Sequence, residues 1–283
     1  MRDIPNIVEF ATDPQLLGLT LSPAQETLLR AIYGLDLDET ELDLWRLCTG
    51  REAYPAKPFS EVTVIAGARA GKDSRIATPV LCFEAAFGQH EQQLAKGERA
   101  VYPLVAQDRN GAAVAFGYTR SYFTESPLLR KLVDDVFTSE LRLTSGSLIQ
   151  TYPCTLRSLR AVSVPSGILD EVAFYRLEGS ADADVEIQTS VRRGMLGFPS
   201  PRLVKISTPY MRSGVLHNDF VRGYGTDDPD LLVWVAPTQL MNPTITAERL
   251  ERERRLDPAL ARRSLFASSA DPPLSPSTSS TSA

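Results

Sequence analysis

The chain alternates short runs of apolar, mostly β-branched residues with longer stretches whose apolar positions recur at helical spacing. Short runs that end in glycine, proline or polar residues are typical of buried strands. They predict five main strands, at 61–66, 100–106, 167–171, 202–207 and 231–236, and two shorter ones, at 141–143 and 148–150, around a turn. The helical spacing predicts a helix that begins after Ser22 and further helices at 39–49, 72–87, 89–97, 108–124, 126–135 and 246–263.

This alternation favours an α/β domain with a mostly parallel sheet and helices on both of its faces. The domain is expected to span residues 21–265, and residues 1–20 are expected to be irregular. Residues 266–283 are dominated by Ser, Thr, Pro and Ala. Such a segment buries too little apolar surface to offset the entropy lost on ordering, so we expect a disordered tail.

Composition and charge narrow the class of protein only a little. Hydrophobic residues make up 43% and charged residues 23% of the 283 residues, which is ordinary for a globular protein. No apolar run reaches the roughly 18 residues of a membrane span, and the N-terminus lacks the apolar core of a signal peptide, so we expect a cytoplasmic protein. The net charge of −5 argues weakly against standing contact with DNA, but it allows transient contact through a local basic patch.

Cysteines and histidines do not form a zinc-binding pattern. Cys48, Cys82 and Cys154 are far apart, and His90 and His217 each stand alone. A structural zinc site needs closely spaced ligand pairs, so no zinc is expected. Free cysteine behaves as a small apolar side chain, and we expect the three thiols to be buried.

A glycine-containing segment, 66–74 with the sequence AGARAGKDS, follows a predicted strand and precedes a predicted helix. This is the context of the phosphate loop, whose pattern is GxxxxGK followed by Ser or Thr. Gly71 and Lys72 fit the pattern, whereas Ala66 replaces the first glycine. Small residues let backbone N–H groups surround phosphate oxygens, and the lysine reaches the outer phosphates. The alternative is a tight turn with an exposed lysine.

Metal binding at this loop depends on the two residues after Lys72. A hydroxyl normally binds Mg²⁺ here, so either Asp73 binds the ion through its carboxylate or Ser74, one position later, supplies the hydroxyl. Asp73 also brings a negative charge close to the phosphates, which is unfavourable unless a metal ion neutralises it.

Polar residues also follow two later strands. Asp170 and Glu171 end a buried strand, the arrangement in which one acid holds Mg²⁺ and the next polarises the attacking water. An acidic helix N-terminus is the alternative interpretation. Ser207 and Thr208 end the next strand, at the edge where ligands bind in α/β folds, and they could sense the γ-phosphate. A strand simply terminated by Pro209 is the alternative.

Taken together, these motifs resemble the ATPase domain of phage terminase large subunits. The resemblance covers about residues 20 to 265, and its elements are, in chain order, Gln25, AGARAGKDS, VAQDR (105–109), LRSLR (156–160), GILDEVAF (167–174), KISTPY (205–210) and Asn242 with Pro243. What makes the resemblance specific is the combination, in this order along the chain, of a Walker A motif, a Walker B motif and a Ser-Thr-Pro motif. The resemblance implies a P-loop NTPase fold of the RecA/ASCE-like kind, with ATP and Mg²⁺ as cofactors.

The resemblance also implies a role for each matching residue. Gln25 recognises adenine, Lys72 and Arg69 contact the phosphates and assist catalysis, and Glu171 is the catalytic carboxylate. Asp170 holds Mg²⁺ together with Asp73 or Ser74, and Ser207 and Thr208 couple hydrolysis to DNA movement. The loop residues expected at the nucleotide are Gly67, Ala68, Arg69, Ala70, Gly71, Lys72, Asp73 and Ser74. Arg157 and Arg160 touch phosphate or DNA, or are ordinary surface charges.

The implied function is ATP-driven translocation of double-stranded DNA into a viral procapsid in the host bacterial cytoplasm. The implied partners are the DNA, a portal protein, the small terminase subunit and further copies of the chain in a ring, with no membrane. Arg192 and Arg193 are candidates for an arginine that acts on a neighbouring subunit. Terminase large subunits continue into an RNase H-like nuclease domain, which is not expected in these 283 residues.

Two other functions remain open on the sequence. A helicase-like DNA-dependent ATPase uses a related core, although helicases usually carry a second such domain. A degenerate P-loop protein that no longer hydrolyses ATP is the other alternative, because Asp73 stands where the metal-binding hydroxyl is expected.

Overall fold

The computed structural model describes residues 4–154, 159, 162–177, 179–180, 182–210 and 212–256. One sheet contains the strands β1 (Glu61–Ala66), β2 (Val101–Ala106), β3 (Val133–Val136), β4 (Glu140–Leu143), β5 (Leu148–Pro153), β6 (Ser166–Asp170), β7 (Arg202–Ser207) and β8 (Leu231–Ala236). Their order across the sheet is β3-β4-β5-β2-β6-β7-β1-β8. From β5 to β8 every neighbouring pair is parallel, and only β3 and β4 add antiparallel pairs at one side. The predicted mostly parallel sheet is confirmed.

Helices connect and cover these strands. They are α1 (Ile7–Thr12), α2 (Pro23–Ile32), α3 (Glu39–Thr49), α4 (Thr78–Phe87), α5 (Arg109–Glu125), α6 (Ala183–Met195), α7 (Gly214–Gly223), α8 (Thr238–Met241) and α9 (Ala247–Leu256). A π-helical turn, Lys72–Ala77, precedes α4, and 3-10 turns lie at His90–Gln93, Leu129–Leu132 and Val172–Phe174. In the described part of the chain, no helix has the length and apolar character needed to cross a membrane.

The apolar residues form two cores, one on each face of the sheet. One core contains buried side chains from α1 to α5, and the other contains buried side chains from α6 and α7. Alternation along β1 divides its side chains between them, with Val62 and Val64 in the first core and Ile65 in the second. The sheet is therefore buried on both faces, as parallel sheets generally are.

Local sequence signals fix several helix ends as predicted. Ser22 caps α2, because its hydroxyl accepts a hydrogen bond from the backbone N–H of Gln25. In turn, the side-chain oxygen of Gln25 accepts a hydrogen bond from the backbone N–H of Ser22. Asp38 forms the same kind of capping box with Glu41 at the start of α3, and Gly50 ends α3 in the left-handed conformation.

The N-terminal segment differs from the prediction. Residues 1–20 were expected to be irregular, but α1 forms within them behind a capping box between Asn6 and Glu9. Six residues are too few for a reliable helical periodicity. The helix is held instead by packing, since the ring of Phe10 lies 5.4 Å from that of Phe83 and 5.7 Å from that of Phe87.

Two predicted helices are wrong. Over 126–135 the chain makes only the 3-10 turn Leu129–Leu132 and then forms β3, because its residues pair with β4 at the side of the sheet. Over 89–97 no α-helix forms, His90–Gln93 make a single 3-10 turn, and His90 is buried with its ring 2.8 Å from the Glu84 carboxylate. In both segments, tertiary pairing overrides local propensity.

The last predicted helix, 246–263, is confirmed as α9 as far as Leu256. The remainder of that prediction and the predicted disordered tail at 266–283 lie outside the described residues. The three cysteines are buried and free, as expected.

Candidate functional site

The site lies where three adjacent parallel strands end. β7 lies between β1 and β6, and the register places Ile65 opposite Ser207 and Asp170 opposite Ile206. Because these strands are parallel, the loops that follow them leave from one edge of the sheet. The glycine-containing loop, the acidic pair and the Ser-Thr pair, which are distant in the sequence, therefore meet there.

The loop after β1 has the geometry of an anion-binding turn. The N–H of Ala70 bonds to the carbonyl of Gly67 at 3.3 Å, and both Arg69 and Gly71 have positive φ, +62° and +79°. The positive φ of Gly71 favours glycine at this position, and a Cβ atom there would lie 2.8 Å from Nε2 of Gln25, so the Gln25 side chain would have to shift. The helical turn that begins at Lys72 directs its first N–H groups into the loop, where they favour an anion.

Lys72 and Glu171 form the centre of the site. The Nζ atom of buried Lys72 lies 2.9 Å from Oε1 of Glu171. The other oxygen of Glu171, Oε2, accepts hydrogen bonds from the N–H of Thr208 at 3.1 Å and from Oγ of Ser207 at 3.2 Å. Glu171 itself has a φ of +49°, an uncommon conformation for a residue other than glycine, and such residues cluster at functional sites.

Two further carboxyl groups lie beside this ion pair. Burial raises the pKa of Asp73 to about 6, although the Thr78 hydroxyl and Lys72 oppose the shift. Burial also raises the pKa of Asp170, and the negative charges of Asp73 and Glu171 raise it further, to about 8. The site therefore has more negative charge than Lys72 alone balances, and a bound cation would restore the balance.

These carboxylates suit Mg²⁺, which prefers oxygen ligands and usually takes only one or two carboxylates from the protein. In the described ranges no group of three or more His, Cys, Asp or Glu side chains is arranged to hold a metal ion. The remaining ligands would then come from water and from nucleotide phosphates. Ser74, the other candidate ligand, lies on the wall of the adjoining cavity, and its carbonyl accepts a hydrogen bond from the Tyr122 hydroxyl at 2.5 Å.

A cavity of about 630 Å³ opens beside the loop. Its walls come from the loop, from the start of α2 and from residues 241–244. Gln25 is buried in this wall, where its Nε2 donates to the carbonyl of Ala70 at 3.1 Å and its Oε1 accepts from the N–H of Ser22 at 3.1 Å. The volume falls within the range of small-molecule sites, which is roughly 300–1,000 Å³.

No protein-family model matches the sequence, and no curated protein matches it significantly. Among solved structures, the large terminase of bacteriophage HK97 matches with a TM-score of 0.62 and 16% identity, over 94% of this chain and 55% of that chain. The ATPase domain of the Thermus phage P74-26 large terminase matches with a TM-score of 0.59 and 16% identity, over 88% of this chain and 99% of that chain.

This chain has the fold of a phage large-terminase ATPase domain. A third match is the large terminase of a thermophilic bacteriophage in complex with ADP, with a TM-score of 0.58, 12% identity and coverage of 88% of this chain and 53% of that chain. The chain thus spans about half the length of two of these terminases, 55% and 53%, and nearly all of the isolated ATPase domain. The expected P-loop NTPase fold is confirmed.

Within the terminase ATPase fold, not every arginine proposed from the sequence reaches the site. Arg69 is exposed beside the cavity, in the loop itself. Arg192 forms two 2.6 Å bonds with the carboxylate of Glu61, at the amino end of β1 and therefore at the edge opposite the site. An arginine that acts on a neighbouring subunit need not reach the site of its own chain, so the choice of Arg192 or Arg193 for that role stays a prediction. Arg157 and Arg160 lie outside the described residues.

Sequence reasoning gave no role to two residues that contact the loop. Thr238 and Asn242 follow β8 and donate hydrogen bonds to the carbonyls of Ala68 and Arg69 at 2.9 Å and 2.8 Å. β8 pairs with β1, so the segment after β8 leaves from the same edge as the phosphate loop. Thr238 and Asn242 could have been identified from the sequence if it had been predicted that β8 lies beside β1.

Proposed function

We propose that this chain is the ATP-hydrolysing motor domain of a genome-packaging terminase, which moves double-stranded DNA into a viral procapsid. The observation that carries the proposal is the convergence of Lys72 and Glu171, 2.9 Å apart, with Asp73 and Asp170 beside them. Their positions at the carboxyl ends of adjacent parallel strands support a site for a nucleotide triphosphate. The terminase ATPase fold supports the link to packaging.

In this proposal the ion pair between Lys72 and Glu171 belongs to the protein without nucleotide. The β- and γ-phosphates of ATP compete for the lysine, and the carboxylate of Glu171 is then released from it. The hydrogen bonds from Thr208 and Ser207 keep that carboxylate at the sheet edge. There Glu171 orients a water molecule and accepts its proton as the water oxygen attacks the γ-phosphorus and the bond to the ADP oxygen breaks.

The carboxylates of Asp170 and Asp73 would hold Mg²⁺, with Ser74 as the alternative ligand to Asp73. When bound, Mg²⁺ neutralises phosphate charge that develops during hydrolysis. Gly67, Ala68, Arg69, Ala70 and Gly71 contribute the backbone that surrounds the phosphates. Gln25 lies in the cavity wall, and each polar atom of its amide retains capacity for one more hydrogen bond, so it can still meet the adenine edge.

Ser207 and Thr208 are proposed to couple hydrolysis to DNA movement. Both donate hydrogen bonds to the carboxylate of Glu171. Movement of that carboxylate would therefore also move the residues at the end of β7. The proposed partners are double-stranded DNA, a portal protein, the small terminase subunit and further copies of the chain in a ring, in the host bacterial cytoplasm.

The test is steady-state ATP turnover with and without double-stranded DNA. Lys72→Ala removes phosphate binding, and Glu171→Gln removes the proton acceptor while it preserves shape, so each is expected to lower turnover by at least about 100-fold. Lys131→Ala and Glu186→Gln are the matched controls, because both residues are exposed and neither lines the cavity beside the loop. Turnover that survives both site substitutions would refute the assignment of the site.

A second candidate function is nucleotide binding without hydrolysis. It is favoured by Asp73, which places a carboxylate where a hydroxyl normally binds the metal. Wild-type protein that binds ATP, loses that binding in Lys72→Ala and yet shows no turnover with or without DNA would support this candidate over the motor.

A further inference from the structure

Three consecutive carbonyls of the phosphate loop are each held by a side chain from outside the loop. Two of the donors, Thr238 and Asn242, come from the segment that follows β8, and the third is Gln25 of α2. The bonds are Thr238 Oγ1 to Ala68 O at 2.9 Å, Asn242 Nδ2 to Arg69 O at 2.8 Å and Gln25 Nε2 to Ala70 O at 3.1 Å.

These bonds fix the direction of the backbone N–H groups as well. In a trans peptide the carbonyl of one residue and the N–H of the next point in opposite directions. The bond from Thr238 to the carbonyl of Ala68 therefore also sets the direction of the Arg69 N–H. The bond from Gln25 to the carbonyl of Ala70 sets that of Gly71 in the same way. Oriented N–H groups of this kind are what a loop offers to phosphate oxygens.

Asn242 supports the least favourable part of the loop. Arg69 has a φ of +62°, and a residue other than glycine keeps such a conformation only where its surroundings hold it. The Asn242 amide is itself oriented, because its Oδ1 accepts from the hydroxyl of Thr244 at 2.6 Å and from the N–H of Thr244 at 3.3 Å. Its N–H group therefore points to the carbonyl of Arg69.

The segment that carries these donors is firmly placed. Thr238 and Met241 are fully buried, and the carbonyl of Met241 accepts a hydrogen bond from the Ser22 hydroxyl at 2.8 Å. Ser22 is also the residue that caps α2 and bonds to Gln25. The segment after β8 thus contacts both the phosphate loop and the helix that carries the third donor.

We infer that Thr238 and Asn242 are positioning residues that hold the phosphate loop in the form that binds the nucleotide's phosphates. The inference rests on the proposed function, because it assumes that the loop binds ATP. It assigns a role to the end of β8 and to the Asn-Pro pair, which the proposed catalytic cycle does not otherwise use.

The experiment measures the affinity of the full chain for a fluorescent ATP analogue and, by competition, for inorganic tripolyphosphate. Asn242→Ala and Thr238→Val each remove one donor, and each is expected to weaken binding of both ligands by about three- to tenfold. Tripolyphosphate has no base or sugar, so equal losses for the two ligands place the effect at the phosphates.

Two controls match these substitutions. Asn218→Ala changes an exposed asparagine on α7, and Thr119→Val changes a buried threonine whose hydroxyl bonds within α5, to the carbonyl of Ala115. Both are expected to bind the analogue as the wild type does. If Thr238→Val lowers the melting temperature strongly, Asn242→Ala still tests the inference. Asn242 is only half-buried at the surface, so its substitution is expected to leave the fold intact.

Unchanged affinity for both ligands in Asn242→Ala would overturn the inference and leave the proposed function intact. A loss for the ATP analogue with unchanged tripolyphosphate binding would also overturn it, since the residues would then contact the nucleoside. If the wild type binds neither ligand, or binds them as well after Lys72→Ala, the proposed function fails first and the inference falls with it.

Discussion

At the scale of single residues, Asp73 is the feature that distinguishes this loop. It occupies the position of a hydroxyl residue, accepts a hydrogen bond from Thr78 at 3.0 Å and lies close enough to Asp170 for its charge to raise the pKa of that acid. The two carboxylates repel each other when both are ionised, and a divalent cation bound between them offsets that repulsion. Asp73 therefore has a chemical reason to be a metal ligand in place of the usual hydroxyl.

The prediction for Asp73 concerns the dependence of turnover on magnesium. Asp73→Ala removes an oxygen ligand, so we expect the Mg²⁺ concentration for half-maximal ATP turnover to rise by about tenfold. Asp73→Ser restores the usual hydroxyl and is expected to retain turnover within a few-fold at saturating Mg²⁺. Asp134→Ala, at an exposed position of β3, is the control. A wild-type magnesium dependence in Asp73→Ala would mean that Asp73 is not a ligand.

At the scale of elements, β7 is fixed by buried ion pairs along its length. At its amino end, Arg202 contacts the carboxylate of Glu84 at 2.8 Å. In its middle, fully buried Lys205 contacts the carboxylates of Glu61 and Asp219, both at 2.6 Å. The strand that presents Ser207 at the site is thus tied to α4 on one face and to α7 on the other. Removing one partner of such a pair leaves a buried charge uncompensated.

The prediction for this network is a change in how stability depends on pH. Burial alone would raise the pKa of Glu84, but the hydrogen bond from His90 and the charge and hydrogen bond of Arg202 outweigh it and lower the pKa from 4.5 to about 2. A lowered carboxyl pKa stabilises the fold above the unfolded value, and that stabilisation is lost as the pH falls from about 4.5 towards 2. Between pH 7 and pH 3, the titration of Glu84 lowers the free energy of unfolding by about 2 kcal/mol.

We therefore expect Glu84→Gln to be less stable than the wild type at pH 7 and to lose less of its remaining stability on going to pH 3. Urea unfolding at the two pH values measures both differences. Glu186→Gln, at an exposed position of α6, should follow the wild type. Equal losses in Glu84→Gln and the wild type would show that the network does not titrate as described.

At the scale of the whole molecule, the site joins parts of the chain that belong to different layers. The phosphate loop follows β1, Gln25 comes from α2, and Asn242 comes from the segment after β8. Glu171 and Thr208 add the ends of β6 and β7. A ligand that contacts all of these elements stabilises the folded chain as a unit, because the unfolded chain lacks the site.

The prediction is a rise in melting temperature with nucleotide. In Glu171→Gln, which binds ATP without consuming it, ATP with Mg²⁺ at about 100 times its dissociation constant stabilises the fold by about 2.7 kcal/mol. That is a shift of about 5 °C or more for a domain of this size. Differential scanning calorimetry measures it, and Lys72→Ala should give no shift under the same conditions. A shift of equal size in Lys72→Ala would place the nucleotide elsewhere.

Three of the parallel strands could be predicted closely from sequence because each is a short apolar run bounded by polar residues. β1, β7 and β8 have the predicted bounds, and the chemistry-bearing residues follow them directly. β3 could not be predicted in this way, since its residues Val133 and Val136 are only half-buried and its strand state depends on pairing with β4. The same holds for α1, whose short sequence becomes helical against Phe83 and Phe87.

The sequence by itself determined which residues carry the candidate chemistry, because a loop of small residues with lysine and a strand ending in two acids are local patterns. Only the tertiary structure decided which strands are neighbours. That order brings Glu171 to Lys72 and Thr208, holds Arg192 against Glu61 at the opposite edge, and places Thr238 and Asn242 on the carbonyls of the phosphate loop. Contacts between residues that are far apart in the chain follow from the pairing of whole strands, which no local pattern records.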